Sequence, residues 1–483
     1  MNTIKKVLIA NRGEIALRII RACKELDIIS VCLFSEVDID GVWLKKADEV
    51  YPILGDPIDA YLDYDRIVSL AKKASCDAIH PGYGFLSESA PFALACEKAG
   101  IIFIGPKPDH IALFGDKIAS KNAMEKVGVP VLKGTDEPLN SAQEGEEVAK
   151  EIGYPVIIKA AFGGGGRGMR IVNKESEFAK AFEEAQKESI RYFNRDEVFV
   201  EKYLKNPRHI EIQVMADSFG NVIHLGERDC SIQRRNQKVV EIAPSPLLKE
   251  ATRRELCRVA TKAMFRLGYE SVGTIEFLVD QDDNFYFMEM NTRVQVEHPV
   301  TELISGVDIV QRMIEIAGGD KLQFLQEEIE FRGYAIEFRI NAEDVQNDFR
   351  PHPGTITHYY APGGPGIRLD SIAYTGYEIP PYYDSMIGKL IIYSLTWEGA
   401  VKKAERALGE FFVEGIPTNI PLHKQIVKDQ DFKDGKFTTG YFDEKLPEFN
   451  LEAINELENE HARTKAMANL IDSIKRNNVE VRQ

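Results

Sequence analysis

An α/β protein of about three domains is predicted by two stretches in which strand and helix patterns alternate and by a length too great for one ordinary core. The chain has 483 residues, 44% hydrophobic and 28% charged, the proportions of a soluble globular protein. The first alternation runs to about residue 115. Residues 7–10 read as a strand, 14–26 as an amphipathic helix, 30–34 as a strand and 64–74 as a helix. Residues 78–79 begin a short strand and 101–104 form another. Such alternation predicts a parallel sheet with helices on its faces. The first strand–helix turn, Asn11-Arg12-Gly13-Glu14, lacks the G-x-G-x-x-G of a dinucleotide site. A second turn, His80-Pro81-Gly82-Tyr83-Gly84, leads to Ser87-Glu88 and reads equally as a ligand-facing loop or a tight structural turn.

Between residues 129 and 203 the pattern is compact: strand 156–159, glycine loop 163–168, strand 169–172, helix 175–188 and strand 197–203. This is the make-up of a small lid. Residues 206–318 hold strand-like stretches at 209–214 and 233–241 and an acidic hairpin, 274–280 with 284–291, turning at Asp282-Asp283. The second alternation, 331–446, includes strands at 335–340, 354–360 and 386–393. After Pro447 the chain becomes rich in Glu, Lys, Asn and Ala. Leu451, Ile454 and Leu457, then Leu470, Ile471 and Ile474, stand at helical spacing and predict surface helices.

A net charge of −16 argues against broad binding to nucleic acid or acidic membranes, because repulsion from phosphates would dominate. No apolar run approaches the roughly 18 residues of a membrane span. The N-terminal run turns polar at Asn11-Arg12, which reads as a buried strand and predicts a cytoplasmic protein. The six cysteines are scattered without C-x-x-C spacing, so neither a zinc site nor a disulfide framework is expected. Only Cys230 lies within a charged segment.

The acidic hairpin carries the most chemistry. Folded about Asp282-Asp283, it places Glu276 opposite Glu289, with Cβ atoms roughly 5 Å apart. Facing anions repel unless a cation lies between them, and a hard ion such as Mg²⁺ takes oxygen ligands of this kind. Asn291, two residues after Glu289, shares its face and offers a third oxygen. The bland alternative is a solvent-facing hairpin whose glutamates share no ligand. The polar run Arg293, Gln295, Glu297, His298 that follows favours the ligand reading.

Gly163-Gly164-Gly165-Gly166-Arg167-Gly168 can bring backbone N–H groups close to an anion, although it lacks the Gly-Lys-Ser/Thr of a P-loop. A plain flexible loop is the alternative. Lys159, four residues upstream at the end of an apolar strand, can set a cation over the same phosphates. Lys117 and Lys238 are further cations, each of a type most often solvated. Glu201-Lys202-Tyr203-Leu204 mixes polar and apolar groups as an adenine pocket does.

These residues, with the run from Phe287-Met288-Glu289 through Glu297-His298-Pro299, closely resemble the ATP-grasp core of biotin carboxylases. Asn11-Arg12-Gly13-Glu14, His80-Pro81-Gly82-Tyr83-Gly84-Phe85, Glu227-Arg228-Asp229-Cys230-Ser231 and Tyr382-Tyr383-Asp384-Ser385-Met386 match the same family. The resemblance covers residues 4–446. It implies a Rossmann-like N-terminal domain at 1–114 and an ATP-grasp domain at 115–330, with a mobile glycine-loop lid at about 130–204. It further implies a C-terminal α+β biotin carboxylase domain at 331–446, leaving a helical tail at 447–483.

The implied activity is the first half-reaction of a biotin-dependent carboxylase: MgATP phosphorylates bicarbonate to carboxyphosphate, which releases CO₂ to a ureido nitrogen of biotin. By resemblance, Glu276, Glu289 and Asn291 hold Mg²⁺ or Mn²⁺, as two ions. Lys117, Lys159 and the loop Gly163, Gly164, Gly165, Gly166 and Gly168 hold ATP phosphates. Glu201, Lys202, Leu204, His209 and Gln233 frame the nucleoside, with Asn236 close by where many relatives carry histidine. Lys238, Arg293, Gln295 and the Val296 N–H hold bicarbonate, with Tyr83 on the same side. Glu297 is the expected general base, and Arg339 the stabiliser of the biotin enolate, suited by a persistent charge and a fixed fork of donors. No Ala-Met-Lys-Met biotinylation motif occurs. The resemblance therefore places the biotin carboxyl carrier protein and the carboxyltransferase on separate chains, and implies a homodimer. The rivals are another ATP-grasp carboxylate or carbamoyl-phosphate ligase and a non-catalytic nucleotide-binding protein; the Arg293–Glu297 run with Arg339 argues against the first and the retained metal and base positions against the second.

Overall fold

The computed structural model describes residues 3–450 apart from 136, 140, 161–168 and 194, together with residue 467. The glycine loop expected at 163–168 and the helices expected after Pro447 lie outside the described residues.

The first alternation forms a five-stranded parallel sheet from β1 (Lys6–Ile9), β2 (Ile29–Phe34), β3 (Glu49–Pro52), β4 (Ala78–His80) and β5 (Ile102–Phe103), in the order β3-β2-β1-β4-β5. Apolar side chains on both faces of β1 and β2 suit a sheet covered on each side. The helix Gly13–Glu25 buries Ile15, Ile19, Ile20 and Cys23 against it.

A small three-stranded antiparallel sheet follows, made of β6 (Val156–Ala160), β7 (Arg170–Val172) and β8 (Val198–Lys202). The helix expected at 175–188 starts later. Glu175–Glu177 is a 3₁₀ turn, and the helix Phe178–Phe193 begins where Phe178, Phe182 and Ala185 can enter the core.

The largest sheet is antiparallel throughout. It runs β13 (Phe285–Asn291), β12 (Ser271–Val279), β9 (Arg208–Ala216), β10 (Val222–Arg234), β11 (Gln237–Ala243), β14 (Tyr334–Asn341), then Met386–Ser394 and Ile367–Ser371. Pairing of Val240 with Phe338 joins chain from before and after residue 330 in one sheet. The strand expected at 354–360 is two. Ile356 N–H donates to the Tyr377 carbonyl and Thr357 N–H to that of Glu414, so the chain changes partners as the Ile356 side chain turns into the core.

Three histidines, His80 and His423 buried and His224 half-buried, predict acid sensitivity. Burial pushes His80 down to about 3 (with Arg18 adding repulsion), His224 to about 4 and His423 to about 4. The unfolded chain takes up these protons near pH 6.5, whereas the folded chain resists them. The resulting stability is whole above pH 6.5 and is lost as pH falls toward 4, by up to about 1.4 kcal/mol per pH unit for each group. Thermal unfolding at pH 7 and pH 5 should show the fall, and His224→Gln should make it shallower.

Candidate active site

Four cross-strand neighbours run in register across the large sheet. Arg228 on β10 pairs in register with Glu211 on β9, Glu211 with Glu276 on β12, and Glu276 with Glu289 on β13. Three carboxylates therefore stand side by side, an arrangement that opposes folding unless cations offset it. A β-bulge directly after the Glu276–Glu289 pair inserts Met288 and re-aims the strand. The facing pair expected from the hairpin is present. The solvent-facing alternative fails, since Glu276 is 3% exposed.

Lys238 on β11 offsets much of this charge. Its Nζ lies 2.6 Å from Glu211 Oε2, 3.0 Å from Glu276 Oε1 and 2.7 Å from Glu297 Oε1. Glu276 Oε1 also accepts from Asn291 Nδ2 and Gln295 Nε2, each at 2.8 Å. His209 Nε2 lies 2.8 Å from Glu276 Oε2, an ion-pair contact rather than an aligned hydrogen bond. Although burial opposes ionisation of Glu276, Lys238 and His209 hold its carboxyl far below the usual range. Burial and the adjacent Glu276 charge push the half-buried Glu289 the other way, with Lys117 partly offsetting them.

The segment after β13 carries the next set. Arg293 donates to Glu88 at 2.9 Å and to Asn291 Oδ1 at 2.7 Å. Gln295 accepts from Arg228 at 2.7 Å. Glu297, immediately before the helix His298–Ser305, lies between Lys238 and Arg339, whose Nη2 donates at 3.0 Å. Burial would raise Glu297, but Lys238, Arg339 and Arg228 hold it well below the usual carboxylate range. The Val296 carbonyl accepts from Lys389 at 2.9 Å.

The turn His80–Gly84 is braced by structure. Asn11 Nδ2 donates to the carbonyls of Pro81 at 2.7 Å and Tyr83 at 2.8 Å. Gly82 has φ +65°, and a Cβ there would meet Asn11 Nδ2 at 2.8 Å. The turn carries Tyr83, whose hydroxyl donates to Glu14, into the electrostatic reach of Arg339.

On the side of the small sheet, Lys159 Nζ is 2.8 Å from Glu201 Oε2 and Lys121 Nζ is 3.5 Å from Glu201 Oε1. Glu201 is thus an ion-pair hub. Lys117 begins the helix Lys117–Lys126; burial and Lys159 lower it, while Glu289 and Glu201 favour its charge. Lys202 Nζ donates to the carbonyls of Gly153 at 2.8 Å and Tyr154 at 3.3 Å. Leu204 and Gln233 are half-buried, and Asn236 is exposed in the β10–β11 turn at φ +64°. His209, expected beside the nucleoside, lies against Glu276.

Glu211, Lys121 and Glu241 carry no motif in the sequence, while Glu88 and Arg228 stand there only within larger motifs. The alternation of Glu211 and Gln213 with Ile210, Ile212 and Val214 is the signal that could have found the first. Among the described residues, the His/Cys/Asp/Glu groups compact enough to share an ion are His209–Glu211–Glu276 and Glu211–Cys230–Glu297. The Lys238 ammonium already contacts Glu211, Glu276 and Glu297. Cys230 is buried, and burial with nearby Glu211 raises its thiol, so it is an inert core residue.

Comparison with known proteins covers nearly the whole chain. The family described as "Biotin carboxylase, N-terminal domain" matches residues 3–111, "Carbamoyl-phosphate synthase L chain, ATP binding domain" 116–325, and "Biotin carboxylase C-terminal domain" 337–444. The 2-oxoglutarate carboxylase small subunit of Hydrogenobacter thermophilus is 54% identical over 91% of this chain and 93% of its own. The biotin carboxylase of a Nostoc species is 52% identical over 91% of this chain and 98% of its own. The crystal structure of the Hydrogenobacter biotin carboxylase domain dimer, in complex with MgADP, ADP and bicarbonate, covers 92% of this chain and 98% of that one, with TM-score 0.90 and 54% identity. The Campylobacter jejuni biotin carboxylase structure covers 91% and 98%, with TM-score 0.89 and 48% identity. On the facing carboxylates, the Lys238 junction and these matches across nearly its whole length, the chain belongs to the biotin carboxylase family, with the ATP-grasp fold.

Proposed function

We propose that bicarbonate is activated between Lys238, Arg293, Gln295 and Glu297, and that Arg339 presents biotin to it. The activity itself is ATP- and bicarbonate-dependent carboxylation of biotin, the first half-reaction of the biotin-dependent carboxylases. The observation that carries the residue assignment is Glu297 held between two cations, Lys238 Nζ at 2.7 Å and Arg339 Nη2 at 3.0 Å.

A carboxylate so held is a weak base on its own. Bicarbonate entering beside Lys238 takes a share of the same cations, which loosens their hold on Glu297 and raises its proton affinity. Glu297 then accepts the bicarbonate proton as the ATP γ-phosphoryl is transferred, and carboxyphosphate forms. Arg339, released from its ion pair by that protonation, turns its Nη edge to the ureido oxygen of biotin. Phosphoryl transfer asks the protein chiefly for positioning and charge neutralisation, which Lys117, Lys159 and Lys238 can supply.

The donor set of the hairpin fits a hard divalent ion: two facing carboxylates and an amide oxygen. Glu276, Glu289 and Asn291 would hold Mg²⁺ or Mn²⁺, which neutralises charge on the ATP phosphates when bound. The remaining assignments are the nucleoside at Glu201, Lys202, Leu204, His209, Gln233 and Asn236, and the biotin side at Tyr83. The name "small subunit" of the Hydrogenobacter relative supports carrier and transferase functions on separate chains, and the dimeric Hydrogenobacter structure supports a homodimer. No described helix is long and apolar enough to cross a membrane.

The test is ATP hydrolysis with and without bicarbonate and free biotin, at graded magnesium. Hydrolysis should require bicarbonate and rise with biotin. Glu289→Gln should raise the half-saturating magnesium concentration by about tenfold or more, since even partners of metal ligands are worth that much. Turnover indifferent to bicarbonate would sink the assignment.

A further inference from the structure

Directly behind Arg339 lies a second pair of facing carboxylates that the reaction above does not use. Glu241 on β11 stands opposite Glu337 on β14 in register. Both are 0% exposed. Arg339, two residues after Glu337 and so on the same face, donates Nε to Glu241 Oε1 at 2.5 Å while Nη2 reaches Glu297. Among the described residues, neither oxygen of Glu337 has a hydrogen-bond partner, and Glu241 Oε2 has none.

The surrounding charges are Lys238 from β11, Arg339 from β14, Lys389 from the strand Met386–Ser394 and Glu297 from the loop before the helix His298–Ser305. Lys389 is committed to the Val296 carbonyl at 2.9 Å and to Glu14 Oε1 at 3.1 Å, and Lys238 to Glu211, Glu276 and Glu297. Among the described residues, Arg339 alone is bonded to the pair, through Glu241. One guanidinium cannot satisfy two buried carboxylates and Glu297 as well, and a buried anion without a donor is strongly disfavoured.

We propose that Glu241 and Glu337 share one proton, resting on Glu337, and that the anionic Glu241 is a positioning residue that anchors Arg339 by Nε so that its Nη edge can swing from Glu297 to biotin. The proposal rests on the role given to Arg339 above. The directions of proton affinity agree with it: burial pushes Glu241 up to about 7, against Arg339, and raises Glu337 well above the carboxylate range, against Lys389. As pH rises and the shared proton leaves, the second anion competes for the guanidinium and the Nη edge is withdrawn from biotin.

The test compares Glu241→Gln and Glu337→Gln in the full chain by two assays across pH: bicarbonate-dependent ATP hydrolysis without biotin, and carboxylation of free biotin. Glu241→Gln should lower kcat for biotin carboxylation about ten- to a hundredfold, the worth of one charge-assisted hydrogen bond, with biotin-free hydrolysis within about twofold of wild type. Glu337→Gln imitates a protonated carboxyl. It should keep both activities near neutral pH, melt close to wild type, and lose the alkaline decline of biotin carboxylation.

Equal loss of both activities in Glu241→Gln would overturn the positioning role. A Glu337→Gln chain that unfolds, or an alkaline limb that does not move, would overturn the shared proton. If Glu241→Gln does not fold, Glu241→Asp, which keeps the charge but retracts it, should show the same split between assays, and its absence overturns the role equally. A wild-type chain that hydrolyses ATP without carboxylating biotin would instead refute the reading of Arg339 on which the proposal stands.

Discussion

Glu297→Gln should abolish biotin-dependent turnover while leaving nucleotide affinity nearly unchanged. A glutamine keeps the shape, but its one oxygen can accept from only one of Lys238 and Arg339, whose donors lie 2.7 Å and 3.0 Å from the two carboxylate oxygens, and its NH2 group faces the other. It cannot take a proton. Loss of a general base costs about 10²–10⁴ in rate. Removing the negative charge also frees Lys238 and Arg339 from a competitor, so bicarbonate, itself an anion, should bind as tightly or more tightly. The expected signature is therefore a fall in kcat with an unchanged or lower KM for bicarbonate, read by steady-state kinetics, and an unchanged dissociation constant for ADP, read by calorimetry. Nucleotide affinity and turnover falling together would contradict the base assignment, because Glu297 contacts no residue of the Glu201–Lys159 group.

Why the hairpin could be read from sequence and the rest of the site could not follows from how contacts are made. Glu276 and Glu289 belong to one local unit: the hairpin pairs its two strands without any other part of the chain, and the bulge at Met288 shifts the register by one so that the glutamates face each other. The alternating N-terminal sheet is legible for the same reason, since apolar runs such as Val7–Ile9 need only their neighbours to be assigned. Glu211 and Arg228 are different. They meet Glu276 through β9 and β10, and the thirteen-residue β10 carries Glu227, Arg228 and Asp229 fully buried where a charged run ordinarily signals a loop. Glu241 and Glu337 are further apart still, and only the joining of β11 to β14 brings them opposite one another. The double strand around Ile356 escaped because Gly354–Tyr360 has a strand-like composition throughout, while its partners, Tyr377 and Glu414, lie far along the chain. Lys121 looks like any helix-surface lysine until β8 sets Glu201 beside it.

Arg228→Met should be the most destabilising single change in the site. The guanidinium is fully buried and spends every N–H: Nε on Glu211, Nη1 on Gln213 at 2.8 Å and Thr301 at 3.0 Å, Nη2 on Thr274 at 3.1 Å and Gln295 at 2.7 Å. Methionine fills comparable volume but leaves Glu211 a buried anion with Lys238 as its remaining contact, and leaves two amide and two hydroxyl oxygens without that donor. Breaking one side of a buried ion pair costs about 3–5 kcal/mol. Arg228→Lys restores the charge but not the fork, so it should recover part of the stability and little of the geometry. Glu211→Met in the Arg228→Met background removes the stranded anion, and the double variant should melt above Arg228→Met alone, which a strictly additive effect forbids. Gln295 supplies the functional reading: it accepts from Arg228 and donates to Glu276, so without Arg228 its amide is free to rotate. The KM for bicarbonate should rise even in the stabilised double variant, while the dissociation constant for ADP stays within about twofold, since residues without shared partners respond independently. If KM and stability recover together, Arg228 serves only to hold the sheet, and Gln295 does not owe its aim to it.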